Sequence, residues 1–181
     1  TCALPIWGLL LWLLVALLLR WLVLEPRWIP SGSMLPTLQL EDRVLVQKLL
    51  PRLGIAPGVG AIVVFHPPEV LREAGYDPDA ALIKRVVAVG GDEVEVRDGQ
   101  LWRNGVASDP DWTNGPMGYS LPPVRVPSGH LMVLGDNRNA SLDSHLWGPL
   151  PSEEVIGTAV WRYWPLERFG PLRLSAPEAR G

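Results

Sequence analysis

The feature that most limits what this chain can fold into is an apolar run near its start. Ile6 to Leu24 holds nineteen residues and a single charge, that of Arg20. As a helix rising ~1.5 Å per residue, this run would span about 28 Å, close to the ~30 Å hydrocarbon core of a bilayer. Arg20 lies near the end of the run, where its side chain can extend toward the lipid headgroups. The sequence therefore predicts a membrane-spanning helix over residues 6–24.

The residues after this run indicate that it is kept in the mature protein. A cleavable secretion signal has a shorter apolar core, followed by small residues at its cleavage site. Here the sequence continues as Glu25-Pro26-Arg27-Trp28. We therefore expect residues 1–27 to form a retained membrane anchor in contact with the lipid bilayer. No Lys or Arg precedes the run in this sequence, so charge bias does not decide the orientation of the helix.

Most of the remaining chain has strand patterns. Alternating or continuous apolar residues, bounded by Gly, Pro, Asn and Asp, predict strands at 42–49, 60–65, 82–89, 93–97, 100–103, 106–107, 130–134 and 156–164. A short helix or loop is expected at 69–81, with loops at 108–123 and 135–148. The prediction is a mostly β domain over residues 28–164 with one N-terminal helix, followed by a tail at 165–181.

Composition narrows the possible partners and chemistry. The net charge is −3 and no basic block occurs, so the sequence gives no support for a nucleic-acid partner. Cys2 is the one cysteine, which excludes an internal disulfide. Fourteen of the sixteen basic residues are arginine, and only Lys48 and Lys84 are lysine. Since arginine is not deprotonated in proteins, just two side chains could act as an amine base.

A stiff segment lies between the apolar run and the first predicted strand. Its sequence is Pro30-Ser31-Gly32-Ser33-Met34-Leu35-Pro36-Thr37-Leu38. One serine lies on each side of Gly32, and a proline lies further out on each side, at positions 30 and 36. Proline fixes its own φ and favours extended geometry in the preceding residue. The segment is therefore expected to be non-helical and able to present a serine hydroxyl. A plain surface loop rich in Ser, Gly and Pro has the same composition.

Lys84 occupies an unusual place for a lysine, between the apolar residues Ile83 and Val86 of a predicted strand. One possibility is a lysine on an edge strand that reaches water or pairs with an acid. The other is a buried, neutral amine, because burial disfavours the charged form and can bring the pKa of a lysine near 7. A neutral amine beside a serine hydroxyl forms a nucleophile and base pair. Lys48, on an amphipathic strand, is expected to be solvated.

A Ser-His-Asp arrangement is an alternative. The histidines are His66, His130 and His145, and the last of these has Asp136 and Asp143 nearby in sequence. No G-x-S-x-G motif is present. The first two histidines are expected in a loop and at the start of a strand, so His145 is the one that stays possible.

Residues 136–143 alternate oxygen-bearing side chains, as a calcium loop does. The segment lacks the glycine at the sixth position and the glutamate at the twelfth that such a loop requires. We therefore predict no metal site there.

Four segments, in order along the chain, resemble the motifs of the type I signal peptidases, which are membrane-bound Ser–Lys proteases. The resemblance covers roughly residues 6–164. The segments are Pro30–Leu38, Gly60–Phe65, Lys84–Val87 with Gly91-Asp92, and Gly135–Arg138 with Ser141, Asp143-Ser144 and Trp147-Gly148.

The resemblance implies a role for each matching residue. Ser33 would be the nucleophile and Lys84 the general base. The Ser31 hydroxyl would join the Ser33 amide in the oxyanion hole, and Ser141 would orient the lysine amine. Charged residues supporting the site would be Asp143, Arg85 and Asp136. Shallow pockets for small substrate side chains would be lined by Ile29, Met34, Leu38 and Ile83.

The resemblance also implies the overall fold and activity. The expected fold is an antiparallel, sheet- or barrel-like β domain lying against the membrane surface. The expected activity is removal of signal peptides, with small residues one and three positions before the cut, from translocated preproteins. No cofactor is implied. The implied location is the cytoplasmic membrane, with a single span and the catalytic domain on the extracytoplasmic side.

The chain departs from the family pattern at four positions. Ala61 stands where aspartate is usual, His145 where arginine is frequent, and Asn139-Ala140 where Asp-Asn is commoner. Two other functions are considered: a Ser–Lys processing peptidase of narrower specificity, of the pilus or conjugation type, and a membrane-tethered β binding module without chemistry. The binding module predicts that Ser33 and Lys84 lie far apart.

Overall fold

The fold comes from a computed structural model that describes residues 5–108, 113 and 115–172. The helices in this part of the chain are α1 (Pro5–Val23), α2 (Leu49–Arg52), α3 (Glu69–Glu73) and α4 (Ser144–Trp147). The strands are β1 (Leu24–Trp28), β2 (Arg43–Gln47), β3 (Ile62–Phe65), β4 (Leu82–Val89), β5 (Glu93–Arg97), β6 (Gln100–Arg103), β7 (Val106–Ser108), β8 (Leu121–Arg125), β9 (His130–Leu134), β10 (Leu150–Pro151), β11 (Val155–Trp164) and β12 (Gly170–Pro171). Single 3-10 turns occur at Gly32–Met34, Ser152–Glu154 and Leu166–Arg168.

The strands form two antiparallel sheets. The larger has the order β1-β2-β11-β3-β4-β9-β10, with β12 added beside β11. The smaller has the order β7-β6-β5-β8. The turns at Asp98 and Asn104, both at positive φ, connect the three strands of the predicted meander. The prediction of a mostly β, antiparallel fold is confirmed.

Strand β4 lies inside the larger sheet. It pairs with β3 on one side and β9 on the other, and Lys84 faces Val63 across the first of these pairings. All four residues of β3 are buried, which agrees with its continuous apolar sequence. The possibility that Lys84 lies on an edge strand is therefore wrong.

One core cluster contains buried side chains of residues Pro30–Leu38, which we call the serine segment. Its buried members include the four residues predicted to line substrate pockets, with exposed fractions of 8% or less: Ile29, Met34, Leu38 and Ile83. They pack with residues of β2, β3 and β11. Met34 and Leu38 anchor the serine segment in this cluster, and contact of the four side chains with substrate stays a prediction.

Lys48 differs from expectation. Strand β2 ends at Gln47, and Lys48 precedes the short helix α2. Its Nζ donates to Glu25 Oε2 at 2.7 Å, and only 11% of its side chain is exposed. The prediction of a solvated lysine is wrong because β1, which supplies the acid, runs beside β2.

Two short elements lie in segments predicted as loops. Strand β8 contains Pro122 and Pro123, and among the described strands it pairs only with β5, at the edge of the smaller sheet. Proline is tolerated there because an edge strand leaves one row of backbone groups unpaired. Helix α4 begins after Asp143, whose side chain accepts from the backbone N–H of His145.

The start of the predicted tail packs on the domain. Gly170–Pro171 pairs with β11, and Leu172 is 6% exposed in the core cluster that anchors the serine segment. Arg168 donates to both oxygens of Asp42 and to the Thr37 carbonyl. The rest of the tail, residues 173–181, lies outside the described residues.

Helix α1 occupies the position of the predicted apolar helix, and its large side chains from Ile6 to Leu18 are mostly exposed. No helix in the described part of the chain reaches the length and hydropathy that crossing a bilayer requires.

Candidate active site

Ser33 lies in a tight turn that packing holds in place. Gly32–Met34 forms a single 3-10 turn, and the next residue donates back to the Gly32 carbonyl. Met34 is fully buried, and its carbonyl accepts from the Leu38 N–H at 2.9 Å. The buried methionine thus anchors the turn in the core, while Ser33 is partly exposed and Ser31 is exposed.

The backbone of this turn is also held from the side, by the residues that follow β9. The Asn137 N–H donates to the Ser33 carbonyl at 3.1 Å, and Asn137 Nδ2 donates to the Gly32 carbonyl at 3.1 Å. A Cβ added to Gly135 would lie 2.5 Å from the same Ser33 carbonyl and would overlap Ser141 Oγ. Only glycine allows this approach.

Lys84 and Ser33 meet as the resemblance predicts. Lys84 Nζ lies 2.7 Å from Ser33 Oγ, within hydrogen-bonding distance. A binding module without chemistry predicts that these two groups are far apart, and the distance contradicts that alternative. The two residues are 51 positions apart in sequence, so the contact depends on the tertiary fold.

The environment of Lys84 favours the neutral amine. The residue is 5% exposed, and burial lowers its pKa from 10.5 to about 8. The carboxylates of Asp143 and Asp136 act in the opposite direction and limit the fall in this pKa. A lysine with such a pKa is deprotonated in about a tenth of molecules at pH 7 and about half at pH 8, which supplies the neutral amine that a general base requires.

Ser31 lies next to the nucleophile. Its Oγ is 3.2 Å from Ser33 Oγ. The two hydroxyls share one face of the turn, where a second donor could act on a carbonyl attacked by Ser33.

Arg85 and Asp136 support the strand behind the site. Two guanidinium nitrogens donate to the two carboxylate oxygens at 2.8 and 2.7 Å. A third donates to the Gly60 carbonyl at 2.8 Å. Asp136 also accepts from Thr37 Oγ1 at 2.6 Å. Thr37 was not among the predicted site residues, although its hydroxyl stands in the same short segment as both serines.

Asp143 connects the last motif to the site. Its Oδ2 accepts from the Gly135 N–H at 2.8 Å, and its Oδ1 lies 2.6 Å from His145 Nδ1. Ser141 does not make the expected contact. Its Oγ is buried without a hydrogen-bond partner among the described residues, so orientation of the Lys84 amine by this hydroxyl stays a prediction.

The histidine alternative lacks the required contact. Within the described part of the chain, Ser33 Oγ has hydrogen bonds with Lys84 and Ser31. His145 bonds Asp143, and His130 bonds the Ser128 carbonyl.

The described residues also contain no group of three or more His, Cys, Asp or Glu that could hold a metal ion.

Comparison with known proteins identifies the family of this chain. A family profile described as signal peptidase, peptidase S26, matches residues 5–164. A probable signal peptidase I-1 from Synechocystis sp. is 51% identical over 160 residues, covering 88% of this chain and 81% of that protein. The chloroplastic thylakoidal processing peptidase 1 of Arabidopsis thaliana is 47% identical over 154 residues, covering 83% of this chain and 45% of that protein.

A crystal structure of a signal peptidase I from Enterococcus faecalis V583 aligns with a TM-score of 0.44 and 27% identity, covering 56% of this chain and 95% of that one. The family profile spans nearly the whole described chain, and the Synechocystis relative exceeds half identity over most of its length. The chain therefore belongs to the signal peptidase family of S26 peptidases.

Proposed function

We propose that this protein is a signal peptidase I that removes N-terminal signal peptides from preproteins, with Ser33 as nucleophile and Lys84 as general base. The observation that carries the proposal is the 2.7 Å distance between Lys84 Nζ and Ser33 Oγ in a buried setting. A serine hydroxyl is a weak nucleophile by itself, and an adjacent neutral amine can activate it.

The reaction is hydrolysis of one amide bond in two steps. Neutral Lys84 takes the proton of Ser33 as Oγ attacks the scissile carbonyl, and it then gives that proton to the departing amine. The product of this step is an ester between Ser33 and the signal peptide. Water, deprotonated by the same amine, attacks the ester, and the proton returns to Ser33 as the signal peptide leaves.

The negative charge that develops on the carbonyl oxygen needs donors already in place. The Ser33 N–H and the Ser31 hydroxyl are proposed for this role, because the two serine hydroxyls lie 3.2 Å apart on the turn. One such donor is worth about 3–4 kcal/mol of transition-state stabilisation. Asn137 holds the turn through the Ser33 carbonyl, which keeps these donors aimed in one direction.

The proposed substrates carry small residues one and three positions before the cut. The support is that the four side chains predicted to line the pockets belong to one packed apolar cluster, which includes Met34 next to Ser33 in sequence. These four side chains are at least nine-tenths buried, so they offer little depth for a large substrate side chain.

We further propose that α1 anchors the protein in the bilayer, with the β domain on the extracytoplasmic side. Its large apolar side chains from Ile6 to Leu18, including Trp7 at 78% and Trp12 at 73% exposure, are mostly not covered by the described part of the chain. Membrane fractionation with an alkaline wash tests this: anchored protein stays in the pellet, and a variant lacking residues 1–23 is released.

Cleavage of a preprotein in detergent tests the assignment of the two groups. Ser33→Ala and Lys84→Arg should both abolish cleavage, since a guanidinium keeps its charge but does not serve as a base. Lys48→Arg is the matched control because Lys48 is the other lysine of the chain, and it should stay active. Full activity in Lys84→Arg would remove the Ser–Lys assignment.

A further inference from the structure

The ring of His145 is fixed by two described contacts beside the proposed catalytic pair. Its Nδ1 lies 2.6 Å from Asp143 Oδ1, so this nitrogen carries a proton and donates a hydrogen bond to the carboxylate. Its face stacks on Tyr119, with ring centroids 4.0 Å apart and an angle of 15° between the planes. Only 13% of the side chain is exposed.

Tyr119 gives the stack an uncharged, enclosed partner. Burial raises the pKa of Tyr119 to about 12, and Asp143 adds to this rise. Its hydroxyl is buried without a hydrogen-bond partner among the described residues. Among the described residues, the titratable groups that hydrogen-bond to the ring or stack on it are thus Asp143 and Tyr119.

Asp143 links His145 to both members of the pair. One oxygen accepts a hydrogen bond from His145 Nδ1, and the other accepts one from the N–H of Gly135, whose Cα lies close to the Ser33 carbonyl. The Asp143 charge also acts on Lys84, as the larger of the two carboxylate effects that keep its pKa from falling further. A change in the positive charge or hydrogen bonding that offsets the Asp143 charge should therefore change the pKa of the Lys84 amine.

The buried charges near the pair are balanced. The side chains of Asp136, Asp143, Arg85 and Arg138 are each at most 2% exposed, giving two negative and two positive charges. A neutral Lys84 leaves this group without net charge, whereas an ammonium leaves it positive. In so dry a setting one added or removed charge has a large effect on the remaining titratable group.

We propose that His145 is a positioning residue that acts through Asp143 to set the charge environment of the Lys84 amine. This inference rests on the proposed Ser–Lys function. The ring compensates Asp143 with a hydrogen bond and without a permanent charge, so the carboxylate attracts a Lys84 ammonium less than a bare carboxylate would. The stack on Tyr119 keeps the Nδ1–H aimed at the carboxylate.

Two substitutions should move the pH dependence in opposite directions. His145→Arg places a permanent positive charge beside Asp143, which disfavours the Lys84 ammonium. His145→Phe keeps a ring against Tyr119 but removes the donor, leaving Asp143 less compensated and the ammonium favoured. The acid limb, the part of the pH profile where kcat/KM rises as Lys84 loses its proton, should therefore shift. It should move to lower pH by about one unit in His145→Arg and to higher pH in His145→Phe.

The measurement uses the full chain in detergent and a synthetic signal-peptide substrate with alanine one and three positions before the cut, assayed from about pH 6 to about pH 10. His130→Gln is the matched control, because His130 lies at the start of β9 and the site residue Gly135 follows the end of this strand. The strand from His130 to Leu134 is about 13 Å long. The acid limb of His130→Gln should equal that of the unchanged protein. Circular dichroism checks that each variant is folded.

A purely structural role for His145 would lower activity in both variants without moving the limb. The proposal is overturned if the limb of His145→Arg stays in place or moves to higher pH, and this variant decides the question even if His145→Phe does not fold. Lys84→Ala, assayed alongside, separates the two claims. If that variant is inactive while the limbs do not move, the Ser–Lys function stands and the role of His145 fails.

Discussion

Arg85 and Asp136 form a two-point ion pair in the interior of the protein. The Arg85 Nε and Nη2 atoms lie 2.8 and 2.7 Å from the two Asp136 oxygens, and the two side chains are 1% and 0% exposed. Arg85 follows Lys84 in β4. Asp136 precedes Asn137, whose N–H donates to the Ser33 carbonyl. The pair therefore fixes the strand bearing the base against the segment that holds the nucleophile.

Asp136→Asn should destabilise the protein strongly. The neutral amide removes the carboxylate charge that faces two nitrogens of the buried Arg85 guanidinium, and breaking a buried pair in this way costs about 3–5 kcal/mol. Urea unfolding followed by tryptophan fluorescence measures the loss. Asp79→Asn, at an exposed loop position, is the control and should change the free energy of unfolding by less than about 0.5 kcal/mol. Equal effects in the two variants would show that the pair does not stabilise the fold.

Gly135→Ala should strongly lower catalytic activity, although Gly135 is not one of the proposed reacting groups. The new Cβ would lie 2.5 Å from the Ser33 carbonyl oxygen, which is too close for the backbone to remain in place. Displacing the nucleophile by about 1 Å can lower turnover by about 10²-fold. The kcat for a signal-peptide substrate measures this.

Gly58→Ala is the matched control for that substitution. A Cβ there meets nothing within 4 Å, and the position has no positive φ, so activity should be unchanged. If Gly135→Ala retained full kcat, the turn would have to tolerate movement at Ser33, and the argument that a fixed nucleophile is required would fail.

Much of the fold could be predicted from local pattern. Strands β4, β5, β6 and β9 have the predicted bounds, because each is a continuous or alternating apolar run with a turn after it. Strand β8 was missed because its two prolines suggest a loop, and only its place at a sheet edge allows them.

The pairing of Ser33 with Lys84 could be predicted only through the resemblance, since their 51-residue separation leaves no local signal. Side-chain partners from distant strands were missed for the same reason. Lys48 is bonded to Glu25, 23 residues earlier, and the Thr37 hydroxyl reaches Asp136, 99 residues later. Such contacts depend on how strands pair, which local periodicity does not encode.

The segment after β11 should contribute to stability. Arg168 Nη1 lies 3.0 Å from Asp42 Oδ1, and its Nη2 donates to the Thr37 carbonyl at 3.1 Å. Asp42 is 1% exposed, and Arg162 approaches it at 3.5 Å. Arg168→Ala should therefore leave Asp42 with one weaker cationic partner and lower the free energy of unfolding by about 1–3 kcal/mol. Chemical denaturation measures the change.

Arg125→Ala, on the exposed end of β8, is the control for Arg168→Ala and should have little effect. Leu172→Ala tests the same segment by another route, since Leu172 is 6% exposed in the core and its truncation should cost about 2–5 kcal/mol. Unchanged stability in both segment variants would mean that residues 165–172 do not belong to the folding unit.

Lys84 itself should destabilise the fold in a pH-dependent way. Burial lowers its pKa from 10.5 to about 8, so between these pH values the unfolded chain binds a proton that the folded chain has lost. The resulting penalty is fully present below about pH 8 and fades as pH rises to 10.5. Lys84→Met removes the titrating group while keeping a long side chain, and should raise the free energy of unfolding by about 3 kcal/mol at neutral pH. The gain should shrink toward pH 10.5 as the unfolded lysine also becomes neutral. Denaturation at several pH values measures it, and a gain that is the same at every pH would mean that the pKa of Lys84 is not lowered by burial.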